Sequence, residues 1–138
     1  MDDKFLQNLK VLIVDDQAEA RALFKMMLTE MGITQIFEAP DGKTALSFVD
    51  DVPDFVDLVI CDWNMPQMTG IQLLRQVRTV YPDMPFLMVT GRADVTSVSE
   101  AKASGVTAYI KKPFSAAQLE AKLRVIHHKN LKLAEARA

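Results

Sequence analysis

Five short, mainly apolar runs recur along the chain: Val11 to Val14, Gln35 to Glu38, Leu58 to Cys61, Phe86 to Val89 and Ala108 to Ile110. Segments with helical spacing lie between them, such as Leu23, Met26, Met27 and Met31 in the first and Ile71, Leu74, Val77 and Arg78 in the third. Runs that are apolar throughout, rather than alternating, belong to strands buried on both faces, the pattern of a parallel sheet covered by helices on either side. The expected fold is α/β, a (βα)5 chain with five parallel strands, and Met26, Met27 and Met31 are expected to face its core.

The punctuation agrees. Gly32 and Gly105 fall just past helical segments, and Ser115 with Gln118 makes a capping box for a last helix running through Leu119, Leu123 and Ile126. The fourth helical segment, Asp94 to Glu100, is rich in β-branched residues and serine, which predicts the most plastic of the helices. With 138 residues and no repeat, low-complexity tract or linker, the chain is expected to be one domain. Its core spans about 10–127, with 128–138 a helical extension or frayed tail.

Sixteen Lys plus Arg against eighteen Asp plus Glu give a net charge of -2, so the basic footprint of a nucleic-acid binder is missing. The apolar runs are far too short to span a membrane, and Met1-Asp2-Asp3-Lys4-Phe5 lacks the basic-then-apolar order of a signal peptide. A cytoplasmic location without membrane insertion is expected. Cys61 is the only cysteine, which rules out an internal disulfide and fits a reducing compartment.

In an open parallel sheet, ligands bind beyond the carboxyl ends of the strands, where the strand order reverses. Those ends carry Asp15 and Asp16 after the first strand, Asp62 after the third, Thr90 after the fourth and Lys112 after the fifth. Three carboxylates in one crevice repel, and one is driven to take up a proton unless a cation is supplied. Mg2+, which prefers oxygen ligands and keeps several waters, suits such a set. A carboxylate can also attack phosphorus and form an aspartyl phosphate, with a metal and a lysine neutralising the phosphoryl oxygens and Thr90 donating a hydrogen bond. Each piece alone has a plainer reading: an Asp pair caps the next helix, Lys111-Lys112 is a solvated pair, and Thr90-Gly91 is a turn. Independent capping choices would not place all of them at strand ends in a five-fold alternation.

The motifs Val14-Asp15-Asp16, Cys61-Asp62-Trp63-Asn64-Met65-Pro66 with Gly70, Val89-Thr90-Gly91 and Tyr109-Ile110-Lys111-Lys112-Pro113-Phe114 together resemble the receiver domain of two-component response regulators. The resemblance is closest to the single-domain chemotaxis, CheY-like, type and runs from about Lys10 to about Ile126. It implies the flavodoxin-like strand order 2-1-3-4-5. It further implies that Asp62 accepts a phosphoryl group from a sensor histidine kinase or phosphotransfer protein. Asp16, Asp62 and the Asn64 backbone carbonyl would bind Mg2+ directly, with Asp15 acting through a metal-bound water. Lys112 would pair with the phosphoryl oxygens, and the Thr90 hydroxyl would move onto them as the ring of Tyr109 turns inward. That movement would alter the face built by the fourth crossover helix, the fifth strand and the last helix.

Asn64 and Arg92 match positions that tune hydrolysis of the acyl phosphate, and the Lys112–Pro113 peptide is implied to be cis. The downstream target would be a flagellar motor switch or another regulator. The chain would catalyse its own phosphorylation and dephosphorylation, with no external substrate. A stand-alone relay intermediate or a phosphate sink is the alternative within the family. Thr69 stands where the family usually has Asp, and Thr also caps helices.

Trp63 is expected at the rim of the acidic pocket and Cys61 as an inert, small apolar residue. His127 and His128 are expected at the end of the last helix, where they favour its dipole. Two other function classes fit less well. A phosphohydrolase using an aspartyl phosphate needs an acid two residues beyond Asp15, where Gln17 stands, and an insertion to cap its substrate. A flavin module needs a Ser/Thr-rich phosphate loop where Asp15 and Asp16 would repel the phosphate.

Overall fold

The computed structural model describes residues 4–91 and 94–137. Strands β1 (Lys10–Val14), β2 (Gln35–Ala39), β3 (Leu58–Asp62), β4 (Phe86–Thr90) and β5 (Ala108–Lys111) form one parallel sheet in the order β2-β1-β3-β4-β5. Each strand lies within one residue of the run that predicts it. Helices α2 (Ala18–Glu30), α3 (Gly42–Asp51), α4 (Gly70–Val80), α5 (Val95–Ala103) and α6 (Ala116–Arg137) alternate with the strands, and a short α1 (Lys4–Asn8) precedes them. This is the expected flavodoxin-like (βα)5 arrangement.

Because β3 and β4 are buried at every position, each can offer apolar side chains to both faces of the sheet. The core is accordingly two clusters. One packs Leu12, Val59, Phe86 and Met88 against α3, α4 and α5, and the other packs Ile13, Ile60, Leu87 and Val89 against α1, α2 and α6. Gly32 and Gly105 turn the chain after α2 and α5 at φ of +97° and +89°, a region that side chains with a Cβ rarely enter. The half-buried Arg78 ties the end of α4 to the starts of β4 and β5. Its guanidinium donates to the carbonyls of Met84 and Gly105 at 2.6 and 2.8 Å.

Three local expectations need correcting. On α2 the inward residues are Phe24 and Leu28, while Leu23 and Met26 are 45% and 54% exposed. The aromatic ring of Phe24 takes the inward position and meets Phe114 with centroids 5.2 Å apart, rotating the buried stripe by about one residue; Met27 and Met31 pack at its margin. The second correction concerns α6, which starts at the Ser115–Gln118 capping box and continues to Arg137. His127 and His128 therefore sit well inside the helix, away from its dipole end, and His127 stacks on Phe5 at 4.1 Å. Third, α1 went unforeseen because five residues are too few to show a period, although its Leu6 is buried.

Candidate functional site

The strand order reverses beside β1, whose neighbours are β2 on one side and β3 on the other. The register Val14 to Cys61 brings the carboxyl ends of β1 and β3 together, so Asp15 and Asp62 emerge side by side. Asp15 (2% exposed) and Asp62 (8%) are buried and Asp16 is exposed, and one carboxylate oxygen from each can be chosen such that all lie within 4.8 Å of one another. From the end of β5, the Lys112 ammonium reaches Asp62 Oδ1 at 2.8 Å, and the Lys112 amide donates to the Thr90 carbonyl at 2.8 Å. The Lys112–Pro113 peptide is cis. Asn64 is exposed in the turn that follows β3. Arg92 lies outside the described residues.

The plainer reading of the Asp pair as a helix cap does not hold. Gln17 occupies the N-cap of α2 and makes no side-chain cap bond. Asp15 Oδ1 instead accepts from the Gln17 amide at 2.9 Å in a local turn. Its other oxygen, Oδ2, is buried without a hydrogen-bond partner. Burial raises the Asp15 pKa above the ordinary carboxylate value, and the neighbouring Asp62 charge pushes the same way. A buried, unpaired carboxylate oxygen carries a desolvation cost of about 1–3 kcal/mol. Three carboxylates against one ammonium also leave two uncompensated negative charges. The residues present therefore fit a divalent cation with a preference for oxygen, to which Asp15 Oδ2 would be a ligand or a water partner.

A second feature adjoins the first. Thr90, 2% exposed, lines a narrow crevice with no room for a water molecule, together with Trp63, Ser97, Val98, Ala101 and Tyr109. Trp63 is 9% exposed and faces this crevice, so it is part of the packing between β3, β4 and α5 rather than the rim of the acidic pocket. Tyr109 is half-buried, and the Lys122 ammonium sits 5.3 Å from the centre of its ring. Thr90, at the carboxyl end of β4, thus adjoins both the strand ends that carry the carboxylates and the half-buried ring of Tyr109.

The loop after β3 is shaped by packing. A Cβ at Gly70 would lie 2.5 Å from the Asp62 carbonyl oxygen and 2.8 Å from Met88 Sδ, so only glycine lets α4 begin this close to the strand end. Thr69 caps α4: its hydroxyl accepts from the Gln72 amide while the Gln72 side chain accepts from the Thr69 amide. The departure from Asp at this position therefore leaves the cap intact. Cys61 is fully buried, and burial pushes its thiol well above the usual range, in keeping with an inert residue.

Sequence reasoning missed three contributors. Arg21 donates to the Asp15 carbonyl at 2.7 Å and pairs with Glu38 at 3.2 Å, Ser97 lines the Thr90 crevice, and Lys122 covers Tyr109. Each comes from a helix face whose orientation is set by tertiary packing. Only Ser97 left a trace, as a polar residue placed where α5 turns inward.

Residues 11–124 match the family model for the response regulator receiver domain. The chemotaxis protein CheY-3 of Vibrio cholerae is 44% identical over 119 residues, covering 85% of this chain and 90% of that protein. The chemotaxis protein CheY of Pseudomonas aeruginosa is 42% identical over 120 residues, covering 86% and 95%. Among solved structures, Vibrio cholerae CheY4 superposes with a TM-score of 0.79 at 33% identity, over 86% of this chain and 98% of that one. A receiver domain from Clostridium thermocellum gives 0.80 at 27% identity, over 89% and 98%.

Proposed function

Because this chain belongs to the response regulator receiver domain family, we propose that Asp62 takes a phosphoryl group from the phosphohistidine of a sensor histidine kinase or phosphotransfer protein, as a switch in chemotaxis or motility. The observation that carries this reading is the Lys112 ammonium 2.8 Å from Asp62 Oδ1, beside two further carboxylates. An Asp62 oxygen forms the bond to phosphorus as the donor's phosphorus–nitrogen bond breaks. The leaving imidazole nitrogen keeps that electron pair and takes up a proton. Asp15, Asp16, Asp62 and the Asn64 carbonyl would hold Mg2+, which when bound supplies the positive charge that the three carboxylates lack.

Lys112 then shifts its charge from the carboxylate to the phosphoryl oxygens, as the preorganised cation of the site. The Thr90 hydroxyl turns toward the same oxygens, and the space it leaves is the space the Tyr109 ring takes. The device is a bistable packing element biased by new charge. Its readout is the face of α5, β5 and α6, which would contact a flagellar motor switch or another regulator. Asn64 and Arg92 would set the lifetime of the acyl phosphate. The chain acts as one domain in the cytoplasm and catalyses only its own modification and its reversal.

Trp63 lies in the Thr90 crevice, so its fluorescence is expected to follow the state of the site. Adding Mg2+ with beryllofluoride or acetyl phosphate should change its fluorescence in the wild type and leave Asp62→Asn unchanged. A wild type that neither binds Mg2+ nor responds to the phosphoryl mimic would sink the proposal.

A further inference from the structure

Asp16 differs from the other two carboxylates of the crevice. Lys112 pairs with Asp62 and the Gln17 amide donates to Asp15 Oδ1. Asp16 is exposed, and among the described residues no hydrogen bond or ion pair holds its carboxylate. Its direction therefore comes from the backbone, and the peptide units on both sides of it are tethered. A peptide unit is planar, so a bond to one of its polar atoms restrains the whole plane. The Asp16–Gln17 unit is held at its N–H, which donates to Asp15 Oδ1 at 2.9 Å. The Asp15–Asp16 unit is held at its oxygen, which accepts from Arg21 Nη1 at 2.7 Å.

Arg21 lies one turn into α2, where its own amide donates to the Gln17 carbonyl at 3.1 Å. Its side chain is 18% exposed, and its Nε donates to Glu38 Oε1 on the edge strand β2 at 3.2 Å. A guanidinium is a rigid planar fork, so seating Nε on Glu38 sets where Nη1 points. One side chain thus joins α2, β2 and the peptide between the two aspartates. Its bond to the Asp15 carbonyl is charge-assisted, the stronger class of hydrogen bond, while Glu38 offsets a positive charge that would oppose a cation nearby.

We propose that Arg21 is a positioning residue for the metal site: through the Asp15 carbonyl it aims the Asp16 carboxylate at the cation, with Glu38 holding the fork in place. The inference rests on the reading that Asp15, Asp16 and Asp62 hold Mg2+, and it adds how the least supported of the three is kept in place.

Calorimetric titration with Mg2+ tests it, on variants whose fold is checked by circular dichroism. Arg21→Met keeps the apolar stem and removes the fork, and the sign of its effect separates three roles. Loss of a cation near three carboxylates would, by charge alone, tighten Mg2+ binding. A mere tie between α2 and β2 would lower stability and leave binding unchanged. Positioning predicts weaker binding, with the dissociation constant raised about tenfold, the lower end for groups that support metal ligands. Arg21→Lys keeps the charge without the fork and should raise it about threefold, which also carries the test if Arg21→Met does not fold. Lys25→Met removes a cation 4.0 Å from Glu38 that touches neither peptide, and should leave affinity within about twofold of the wild type. Unchanged or tighter binding in the Arg21 variants overturns the proposal, as does an equal loss in Lys25→Met. A wild type that takes up no Mg2+ is a different failure, since it overturns the metal reading and the proposal with it.

Discussion

The two poles of the sheet are built on opposite principles. At the carboxyl ends of the strands, three carboxylates and one ammonium crowd into a crevice where an Asp15 oxygen has no hydrogen bond. At the amino ends the chain closes with apolar side chains and an aromatic stack. The first pole is electrostatically unsatisfied and the second is satisfied by ordinary burial, short of its last turns. A site proposed to accept a cation and a phosphoryl group is not expected to be the most stable arrangement of its own residues, and the opposite pole is free to be.

The largest effect that separates the poles is Asp62→Asn. It removes the proposed nucleophile and one of the three negative charges while leaving side-chain volume nearly unchanged. The Trp63 response to Mg2+ and beryllofluoride should vanish, while the amide-exchange protection of α1 and of α6 around His127 matches the wild type. A change in that protection in this variant would show the poles to be coupled and break the comparison.

Next in size is Gly70→Ala. The added methyl would collide with the Asp62 carbonyl oxygen at 2.5 Å, a backbone atom that cannot swing aside. A loss of about 3 kcal/mol in urea unfolding is expected, at the upper end for overpacking. The phosphoryl-mimic response should weaken as well, because the strain falls on the strand end that carries Asp62. A loss below about 1 kcal/mol would mean that α4 shifts freely and that the site is less rigid than its packing implies.

A smaller effect has the opposite sign. Burial raises the Asp15 pKa, so the folded chain disfavours its charged form. That penalty is full above the raised pKa and is lost as pH falls through it toward the ordinary carboxylate value. In EDTA at neutral pH, Asp15→Asn should therefore stabilise the fold by about 1 kcal/mol, and the gain should shrink on acidification. With Mg2+ the order should reverse, because the variant loses an anionic ligand. Thermal melts with and without Mg2+ at two pH values read both signs.

What the sequence made legible follows the same division. Strand ends were legible because an apolar run stopping at Asp62, or at Thr90, leaves both its limits and its chemistry on display. Placing Asp15, Asp16, Asp62 and Lys112 together needed only the switch-point rule for a parallel sheet, and the sheet order bears it out. The faces of helices were less legible. Whether Leu23 or Phe24 turns inward on α2 depends on Phe114, ninety residues later, and periodicity carries no information about that contact. The amino-end pole was least legible, since α1 is too short to show a period and His127 is explained only by Phe5. Long-range packing decided each of these.

The smallest expected effect asks whether the carboxylate pole depends on its charges or on the helix that begins there. Thr69 caps α4 through a reciprocal pair of hydrogen bonds with Gln72 at 2.9 and 3.3 Å, seven residues beyond Asp62. Thr69→Ala removes one of those bonds and should cost about 1 kcal/mol in urea unfolding. Gly70, which fixes how closely α4 approaches the strand, is untouched, and the Gly70 amide still donates to the Trp63 carbonyl at 2.9 Å. The carboxylates therefore keep their places, and Mg2+ affinity and the Trp63 response should stay within about twofold of the wild type, because an N-cap acts locally on its own helix. If Mg2+ binding falls tenfold instead, the start of α4 is part of the metal site, and the pole owes its chemistry to the helix terminus as much as to its three aspartates.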